Sequence, residues 1–485
     1  MEPLTFSESE IQCLFGHEAA EDETPTRLKE YYFKTSTYEQ VVSDMPLRIL
    51  VGHKGIGKSA LFQVSMLEDT EQDRLPILIE PDDVTELGTD SSDFLKTIRE
   101  WKNGLLEIIA SKVLRSIGIG DKDLKSIFNK HGGNIIEFLI DTLKNHSPTN
   151  YTPTRKIIIE KFLSKRKIFV YIDDLDRGWK GREIDIHRIS ALLNAIRDII
   201  RDNTGIFFKI GLRSDVYYLV RTSDESTDKI EGSVTWLTLT NHEIFVILIK
   251  RIETFFNRVI DEQKLIKTPQ KQLAAYLYPI MEDRFSGRGH WENAPMHRVI
   301  MSLIRKRPRD MVKLCSLAAR NARECGFHRI TTQNFKDVFE EYSQGRLTDT
   351  ENEFESELKN ISRLLLNMKP NRKERTTKQG FHYKTDKLLE KIKNIQELGE
   401  LKFTNGHIAT AQDLAAFMYK INFLTARKET PRGIVRKYFE ENRYLSSKFS
   451  DFGFDWEVHP AYRWALQPDS IFDIYNTMEL SRDDK

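Results

Sequence analysis

A glycine-rich loop that joins a short apolar strand to a helix constrains the fold of this chain most. The run Ile49-Leu50-Val51 suits a buried parallel strand, and apolar residues at helical spacing indicate a helix from near Lys58. The loop residues, followed by Ala60, are Gly52, His53, Lys54, Gly55, Ile56, Gly57, Lys58 and Ser59. They fit G-x-x-x-x-G-K-[ST] at every fixed position, in the strand–loop–helix context that this pattern requires. The sequence therefore predicts a phosphate-binding P-loop.

Each fixed position of this loop has a chemical reason. Gly52 and Gly57 let the backbone turn with its N–H groups inward, where they cradle phosphate oxygens together with the positive end of the helix. Lys58 is predicted to reach the terminal phosphates, and the Ser59 hydroxyl to be a ligand of a Mg²⁺ ion that bridges them. The variable positions His53 and Lys54 are either nucleotide contacts or solvated loop residues. We expect ATP and Mg²⁺ to bind at residues 52–60.

Three carboxylates follow another apolar strand, which is predicted over residues 167–172. Asp173, Asp174 and Asp176 repel one another unless a cation lies nearby, so the cluster favours a metal site. Asp173 is predicted to hold Mg²⁺ through its water shell, and Asp174 to orient or deprotonate the attacking water. Strands often end in Asp before a turn, so the motif predicts nucleotide hydrolysis only in combination with the P-loop.

Strands and helices alternate through the first half of the chain. Helical patterns separate five strand candidates, which predicts a parallel sheet with right-handed crossovers. The strand candidates lie at 49–51, 75–79, 167–172, 205–212 and 234–239, and the helix candidates at 93–117, 134–144 and 187–202. Residues 242–344 are helical in pattern. This arrangement predicts an α/β core followed by a helical region.

The last part of the chain has a different pattern. Helices are predicted at 351–368, 385–398, 411–423 and 431–442, and a β-hairpin within 444–466. Helices followed by a hairpin indicate a winged-helix module, which binds DNA through a helix in the major groove and a wing on the backbone. Basic residues that lie near or on one predicted helix are candidate phosphate contacts: Arg427, Lys428, Arg432, Arg436 and Lys437. Acidic residues between them leave a protein-interaction role open.

Composition excludes other classes of protein. The 485 residues predict two to four domains at ~150 residues each. With Lys+Arg 74 against Asp+Glu 73, no global charge attracts the chain to nucleic acid or membrane. We expect neither a transmembrane helix nor a signal peptide, because no window approaches ~18 apolar residues and the N-terminus is acidic. Three cysteines without zinc-like spacing favour free thiols in a reducing cytoplasm.

Several motifs together resemble a known group of ATPases. They are an FG-containing acidic leader, YYFKT, GHKGIGKSAL, FVYIDDLDRGW, KIGLRSD and RPRDMVKLC. The chain resembles the bacterial P-loop ATPases of the KAP and STAND group, close to AAA+ and origin-recognition-type ATPases, over residues 12–345. KAP members typically carry membrane helices in the core, which this sequence lacks, so a soluble relative is the better match. The resemblance implies ATP over GTP, oligomerisation and a role in anti-phage defence with an effector partner.

The resemblance also implies roles for residues outside the P-loop. In AAA+ hydrolases the strand beside the acidic one ends in a polar sensor of the terminal phosphate, and Arg213 and Ser214 occupy that place. Arg221 is a candidate finger toward a neighbouring subunit's nucleotide. Arg309, after Pro308, matches the second sensor arginine of AAA+ lids, and a bound phosphate would offset its unfavourable place at a helix start. A solvated basic turn at residues 305–309 is the other interpretation.

Two further positions keep alternatives open. Tyr32 or Phe33, in the segment before the first strand, either stacks on the adenine base or belongs to an ordinary core. Arg177 either pairs with Asp174 or Asp176, or reaches the phosphate of a neighbouring subunit.

The sequence predicts an α/β fold with a P-loop NTPase parallel-sheet core, a helical lid and a C-terminal winged-helix-like domain. The predicted divisions are a leader at 1–45, an ATPase core at 46–240, a lid at 241–345 and the C-terminal domain at 346–485. The predicted function is slow Mg²⁺-dependent ATP hydrolysis by Lys58, Ser59, Asp173 and Asp174. The chain would act as a nucleotide-driven oligomeric switch. The alternative is a DNA-binding loader or regulator that grips duplex DNA with its C-terminal domain.

Overall fold

A computed structural model describes most of the chain. The described residues are 3–89, 93–116, 135–145, 167–223, 225–376, 380–431, 433–443, 445, 453–466, 474–475 and 478–482.

The strands of the described residues form three sheets. In chain order they are β1 Leu47–Val51, β2 Leu75–Ile79, β3 Ile168–Ile172, β4 Ile206–Leu212, β5 Val234–Trp236, β6 Arg284–Ser286, β7 Glu292–Pro295, β8 His382–Tyr383, β9 Leu424–Thr430, β10 Gly433–Lys437 and β11 Asp455–Val458.

The α-helices up to residue 303 are α1 Glu8–Phe15, α2 Pro25–Tyr31, α3 Ser36–Val42, α4 Lys58–Glu71, α5 Phe94–Ser116, α6 Ile135–Asn145, α7 Glu183–Asp202, α8 Ser214–Ser223, α9 Asn241–Phe255, α10 Glu262–Lys267, α11 Gln270–Leu273 and α12 Met296–Leu303. They are followed by α13 Pro308–Glu324, α14 Thr332–Phe354, α15 Ile361–Leu366, α16 Arg372–Thr376, α17 Thr385–Gln396, α18 Ala411–Lys420 and α19 Arg463–Leu466. Short 3₁₀ segments lie at Ala20–Asp22, Pro81–Val84, Glu225–Ser233, Ala274–Leu277, Gly289–Trp291 and Pro460–Tyr462.

The first sheet has five parallel strands in the order β2-β3-β4-β1-β5. Every residue of β3 is buried, as expected for a parallel strand that is covered on both faces. This sheet with its helices confirms the predicted P-loop α/β class. Because parallel strands end at the same edge, the residues that follow β1, β3 and β4 are brought to one side of the sheet.

Helices α5 and α7 belong to the apolar core of this sheet. Trp101, Leu105 and Ile109 of α5 are buried in it, together with Leu192 and Ile196 of α7. The three-and-four spacing of these residues places them on one face of each helix, the face that packs into the core.

The chain divides into two compact units. One consists of Lys34–Lys54 and Lys58–Leu237, and contains the parallel sheet. The other consists of Met1–Phe33, Gly55–Gly57 and Thr238–Lys485. It contains the antiparallel pair β6–β7 and an antiparallel sheet in the order β10-β9-β11-β8. The four-part division expected from sequence remains a prediction.

Three predicted elements near the C-terminus are wrong. The helix expected over 351–368 is interrupted between Phe354 and Ile361, where Asn360 adopts a left-handed conformation. The segment expected as a helix at 431–442 contains β10, and β9 and β10 form the hairpin. Within 444–466, residues 455–458 form β11, which pairs with β9 on one side and β8 on the other, and residues 460–466 are helical. Residues 444 and 446–452 of the predicted hairpin lie outside the described residues. Ile434 and Arg436 point into the buried face, so period-two burial overrides the helical spacing of the charges.

Among the described residues, we find no helix that combines the length and the apolar character needed to cross a bilayer.

Candidate functional site

The predicted P-loop connects β1 to α4, as its motif requires. Gly57 has φ +109°, a backbone conformation that residues with a Cβ rarely adopt. The Lys58 Nζ donates hydrogen bonds to the carbonyl oxygens of Gly52 at 2.8 Å and of His53 at 3.2 Å. The lysine amine is therefore held against the loop from which it is predicted to reach phosphate oxygens.

Asp173 follows β3 directly and lies beside the start of α4. The Ser59 hydroxyl donates a hydrogen bond to its carboxylate. Burial raises the pKa of Asp173, while the Ser59 bond and the charge of Lys58 oppose this rise. The structure thus brings together the two predicted Mg²⁺ ligands, and a hydroxyl beside a desolvated carboxylate is the kind of oxygen pair that suits this ion.

Gly211 provides the space that this carboxylate occupies. A Cβ on Gly211, in the neighbouring strand β4, would lie 2.5 Å from Asp173 Oδ1. Real Cβ atoms essentially never make so short a contact, so a side chain there displaces the carboxylate. Sequence reasoning missed Gly211, although a glycine inside a strand is a known signal of close approach.

Asp174 lies at the tip of the acidic segment and is exposed. Its φ is +57°, in the left-handed region that a non-glycine residue enters at an energetic cost. Asp tolerates this region better than most residues. The structure places Asp174 next to Asp173 and open to solvent, and its role toward an attacking water remains a prediction.

Arg213 follows β4, the strand beside β3, as expected for the sensor position. Its Nε and Nη2 donate to Asp215 Oδ1 at 3.1 Å and Oδ2 at 2.8 Å. Its Nε also lies 3.3 Å from Asp176 Oδ2. Sequence reasoning offered Arg177 as a partner for Asp176; the structure gives this carboxylate Arg213 instead and leaves Arg177 exposed.

Burial raises the pKa of Asp176 to about 6, although the charges of Arg213 and then Lys58 oppose the rise.

A hydrogen bond joins one residue of the predicted P-loop to one residue of the segment that follows β4. Ser214 Oγ and His53 Nδ1 are 3.0 Å apart, and both side chains are buried. His53 is therefore not a solvated loop position, which corrects one of the two sequence interpretations.

Arg309 belongs to the other unit, in the first turn of α13. Its Nε donates to the carbonyl oxygen of Glu18 at 2.9 Å. Its backbone N–H donates to the carbonyl oxygen of Gly55, which groups with this unit, at 3.4 Å. The Glu18 carbonyl thus gives the guanidinium one hydrogen bond at a helix start that disfavours a cation. A nucleotide contact by Arg309 remains a prediction.

The interpretation of residues 305–309 as a solvated turn is wrong for two arginines. Arg305 and Arg307 are each 3% exposed. Arg305 Nε and Nη2 donate to the two carboxylate oxygens of Asp310 at 2.7 and 2.9 Å, and Arg346 Nη1 donates to Oδ1 at 2.8 Å. These charges hold the pKa of Asp310 well below its usual range despite its burial. The basic run is thus part of a buried ion network.

The remaining predicted residues have these surroundings. Phe33 is buried, which fits the core interpretation, and the backbone carbonyl of Tyr32 accepts a hydrogen bond from Lys250 Nζ. Arg221 pairs with Asp228 at 2.6 Å and with Glu231 at 3.4 Å, both in the 3₁₀ segment that follows its helix. Adenine stacking and a finger role remain predictions for these residues.

The basic residues of the C-terminal region lie on strands rather than on the predicted helix. Arg427 and Arg436 are each 7% exposed and face Glu457. Arg436 Nε donates to Glu457 at 2.5 Å, and Arg463 Nη2 donates to it at 2.7 Å. Lys428 is exposed, Lys437 is partly exposed, and Arg432 lies outside the described residues. Arg427 and Arg436 are therefore occupied in an internal ion cluster, which corrects their proposed role as phosphate contacts.

Helix α18 precedes the β9–β10 hairpin. In a winged-helix module the recognition helix occupies this position. It buries all its residues except Gln412, Asp413 and Ala416. Lys420, its basic residue, pairs with Glu357 at 3.1 Å. The helix therefore presents an uncharged and an acidic side chain to solvent, a composition opposed to contact with DNA phosphates.

Comparison with known proteins gives one family match. Residues 278–351 match the model of the FunZ-associated C-terminal helical domain. This segment holds β6, β7, α12, α13 and most of α14, including Arg309. No curated protein matches the chain.

Solved structures with similar folds include archaeal proteins. The chain is 13% identical to the Walker-type ATPase of Pyrococcus abyssi, with 83% of this chain and 91% of that chain covered and a TM-score of 0.38. For the Aeropyrum pernix ORC2 protein the identity is 11%, the coverage 90% and 89%, and the TM-score 0.42. For Aeropyrum pernix ORC1 in complex with DNA the identity is 13%, 95% of this chain and 97% of that chain are covered, and the TM-score is 0.35.

Proposed function

We propose that this chain binds ATP with Mg²⁺ at residues 52–60 and hydrolyses it slowly as a nucleotide-driven switch. The observation that carries the proposal is the meeting of Lys58, Ser59, Asp173 and Arg213 at the carboxyl edge of one parallel sheet. A lysine, a hydroxyl, a carboxylate and an arginine in this place supply the charges that a terminal phosphate and its cation need.

The residues present suit each part of this ligand. Backbone N–H groups of the loop and the first turn of α4 form the anion cradle. Ser59 and Asp173 would hold Mg²⁺, which when bound neutralises charge on the phosphates. Lys58 exchanges the loop carbonyls for phosphate oxygens, and Asp174, exposed beside the ion site, takes or orients the proton of a water molecule.

The choice of a switch over a DNA loader is supported by the C-terminal region. Arg427 and Arg436 are buried against Glu457, and α18 exposes no basic side chain. A DNA grip of the proposed kind needs both the helix and the strand arginines at the surface. Self-association with ATP, control of an effector and a place in anti-phage defence remain parts of the proposal that come from the motif resemblance alone.

The proposal is tested by steady-state ADP production with Mg²⁺, with and without duplex DNA. We expect slow turnover in the wild type, indifferent to DNA, and its loss in Lys58→Ala and Asp174→Asn. Asp198→Asn, a partly exposed position on α7 that pairs with Arg201, is the control and should keep the wild-type rate. Equal rates in the wild type and Lys58→Ala would exclude the site, and stimulation by DNA with a steep salt dependence would favour the loader.

A second measurement addresses the switch itself. The mass of the particle in solution is compared with ATP, with ADP and without nucleotide, in the wild type and in Asp174→Asn. A larger particle with ATP that persists in Asp174→Asn supports ATP-licensed assembly. A mass that ignores nucleotide in both proteins would contradict it.

A further inference from the structure

Two carboxylates hold the guanidinium of Arg213, and they hold it unequally. Asp215 accepts two hydrogen bonds from it, from Nε at 3.1 Å and Nη2 at 2.8 Å, and is 1% exposed. Asp176 makes a single longer approach, 3.3 Å from Oδ2 to Nε. Paired hydrogen bonds between a guanidinium and a carboxylate are stronger than a single off-axis contact. Asp215 is thus the anchor of Arg213, and Asp176 is the contact more easily exchanged.

Asp176 stands among the charges that are predicted to face the terminal phosphate. It is 7% exposed, and the positive charges that act on it are those of Arg213 and Lys58. Lys58 also acts on Asp173, at the tip of the same strand. One buried carboxylate therefore interacts with both cations that the proposed function assigns to phosphate oxygens.

Asp215, the anchor of Arg213, lies in a segment that is itself held in place. Asp215 is in the first turn of α8, and Ser214 beside it is joined to His53 of the P-loop at 3.0 Å. The backbone that carries Arg213 is therefore tied to the loop, whereas Asp176 lies in the turn after β3. Arg213 can therefore give up its contact with Asp176 while it stays bound to Asp215.

We propose that Asp176 is a positioning residue that competes with the terminal phosphate for Arg213, and thereby limits the preference of the site for nucleoside triphosphate over diphosphate. The inference rests on the proposed function, because it requires a triphosphate at the P-loop. Asp176 supplies negative charge to Arg213 when no terminal phosphate is there. The same charge repels that phosphate when it arrives, and a diphosphate, which lacks this group, does not meet it.

Substitution of Asp176 by Asn tests this directly. Asn keeps the shape of Asp and removes its charge, and the Asp215 anchor still neutralises Arg213, so no unpaired buried cation is left. We expect Asp176→Asn to bind a non-hydrolysable ATP analogue about 5-fold or more tightly than wild type, in the usual range of coupling between sites. The affinity for ADP should stay within about twofold and reports that the site is folded.

Each protein is titrated in a calorimeter with the non-hydrolysable ATP analogue in the presence of Mg²⁺, and separately with ADP in the presence of Mg²⁺, to give the two affinities. The proteins are wild type, Asp176→Asn, Arg213→Ala, the double variant and the partly exposed control Asp198→Asn. The gain from Asp176→Asn must vanish in the Arg213→Ala background. The inference would be overturned if Asp176→Asn left the ratio of the two affinities unchanged. It would also be overturned if the gain in affinity for the ATP analogue persisted without Arg213.

The same titrations separate this inference from the function on which it rests. If the wild type binds neither nucleotide, or if Lys58→Ala binds them as well as wild type, the proposed function fails. If the wild type binds, Lys58→Ala does not, and Asp176→Asn leaves the ratio unchanged, only the role of Asp176 fails.

Discussion

The carboxylate of Asp173 occupies the space that a side chain on Gly211 would need. The distance from Asp173 Oδ1 to an ideal Cβ on Gly211 is 2.5 Å. Gly211 lies on β4, Asp173 directly follows the adjacent parallel strand β3, and the Ser59 hydroxyl lies beside the carboxylate. Strand packing therefore positions the predicted Mg²⁺ ligand as much as its own sequence motif does.

Gly211→Ala should lower Mg²⁺-dependent ATP hydrolysis by roughly 10²-fold, because a methyl group there moves Asp173 by a large fraction of an ångström or more. The rate is measured over a range of Mg²⁺ concentrations. Gly345→Ala, where an added Cβ meets nothing within 4 Å, is the control and should keep the rate. Wild-type hydrolysis in Gly211→Ala would contradict the assignment of Asp173.

Ser214→Ala should reduce hydrolysis several-fold while the fold is kept. The change removes the 3.0 Å contact with His53 Nδ1 and leaves a buried ring nitrogen without this partner, at about 1–3 kcal/mol. Thermal unfolding and ADP production are both measured. Thr222→Ala, on the exposed face of the same helix α8, is the matched control and should change neither.

Asp310→Asn should destabilise the unit that carries Arg309 by roughly 3–5 kcal/mol, because Arg305 and Arg346 lose the charge that compensates them in a buried site. Asp349→Asn provides the control, since its carboxylate also pairs with Arg346 but is 55% exposed. Denaturant unfolding is the measurement. Equal stability of the two variants would show that the network contributes little.

The same unit should lose stability in acid through Glu457. The charges of Arg436 and Arg463 outweigh burial and lower the pKa of Glu457 to about 2. An acid whose folded-state pKa is lowered contributes stability above its unfolded value, near 4.5, which is lost as the pH falls toward 2. Glu457→Gln should be less stable at pH 7 and should lack this dependence.

The measurement is the melting temperature by near-ultraviolet circular dichroism between pH 7 and pH 3. Glu429→Gln serves as the control, because Glu429 also binds Arg427 but its side chain is 69% exposed. A wild-type profile that is parallel to that of Glu457→Gln would show that this carboxylate is not the group responsible.

The sequence alone determined the parts of the molecule that depend on neighbouring residues. The P-loop, the strand before Asp173 and the helices of the core follow from local motifs and from apolar spacing, and their bounds agree with the structure within a few residues. The edge of the sheet to which the predicted site residues converge also follows, because parallel strands joined by crossovers end on the same side.

Only the tertiary structure decided which charges meet. Arg213 pairs with Asp176, and Arg436 with Glu457, across strands that are distant in sequence, so no local pattern predicts the register that joins them. The same holds for the hairpin β9–β10, where cross-strand pairing and burial override a helical charge pattern. Sequence periodicity reports which face is apolar, whereas ion pairs and close contacts depend on strand order and packing.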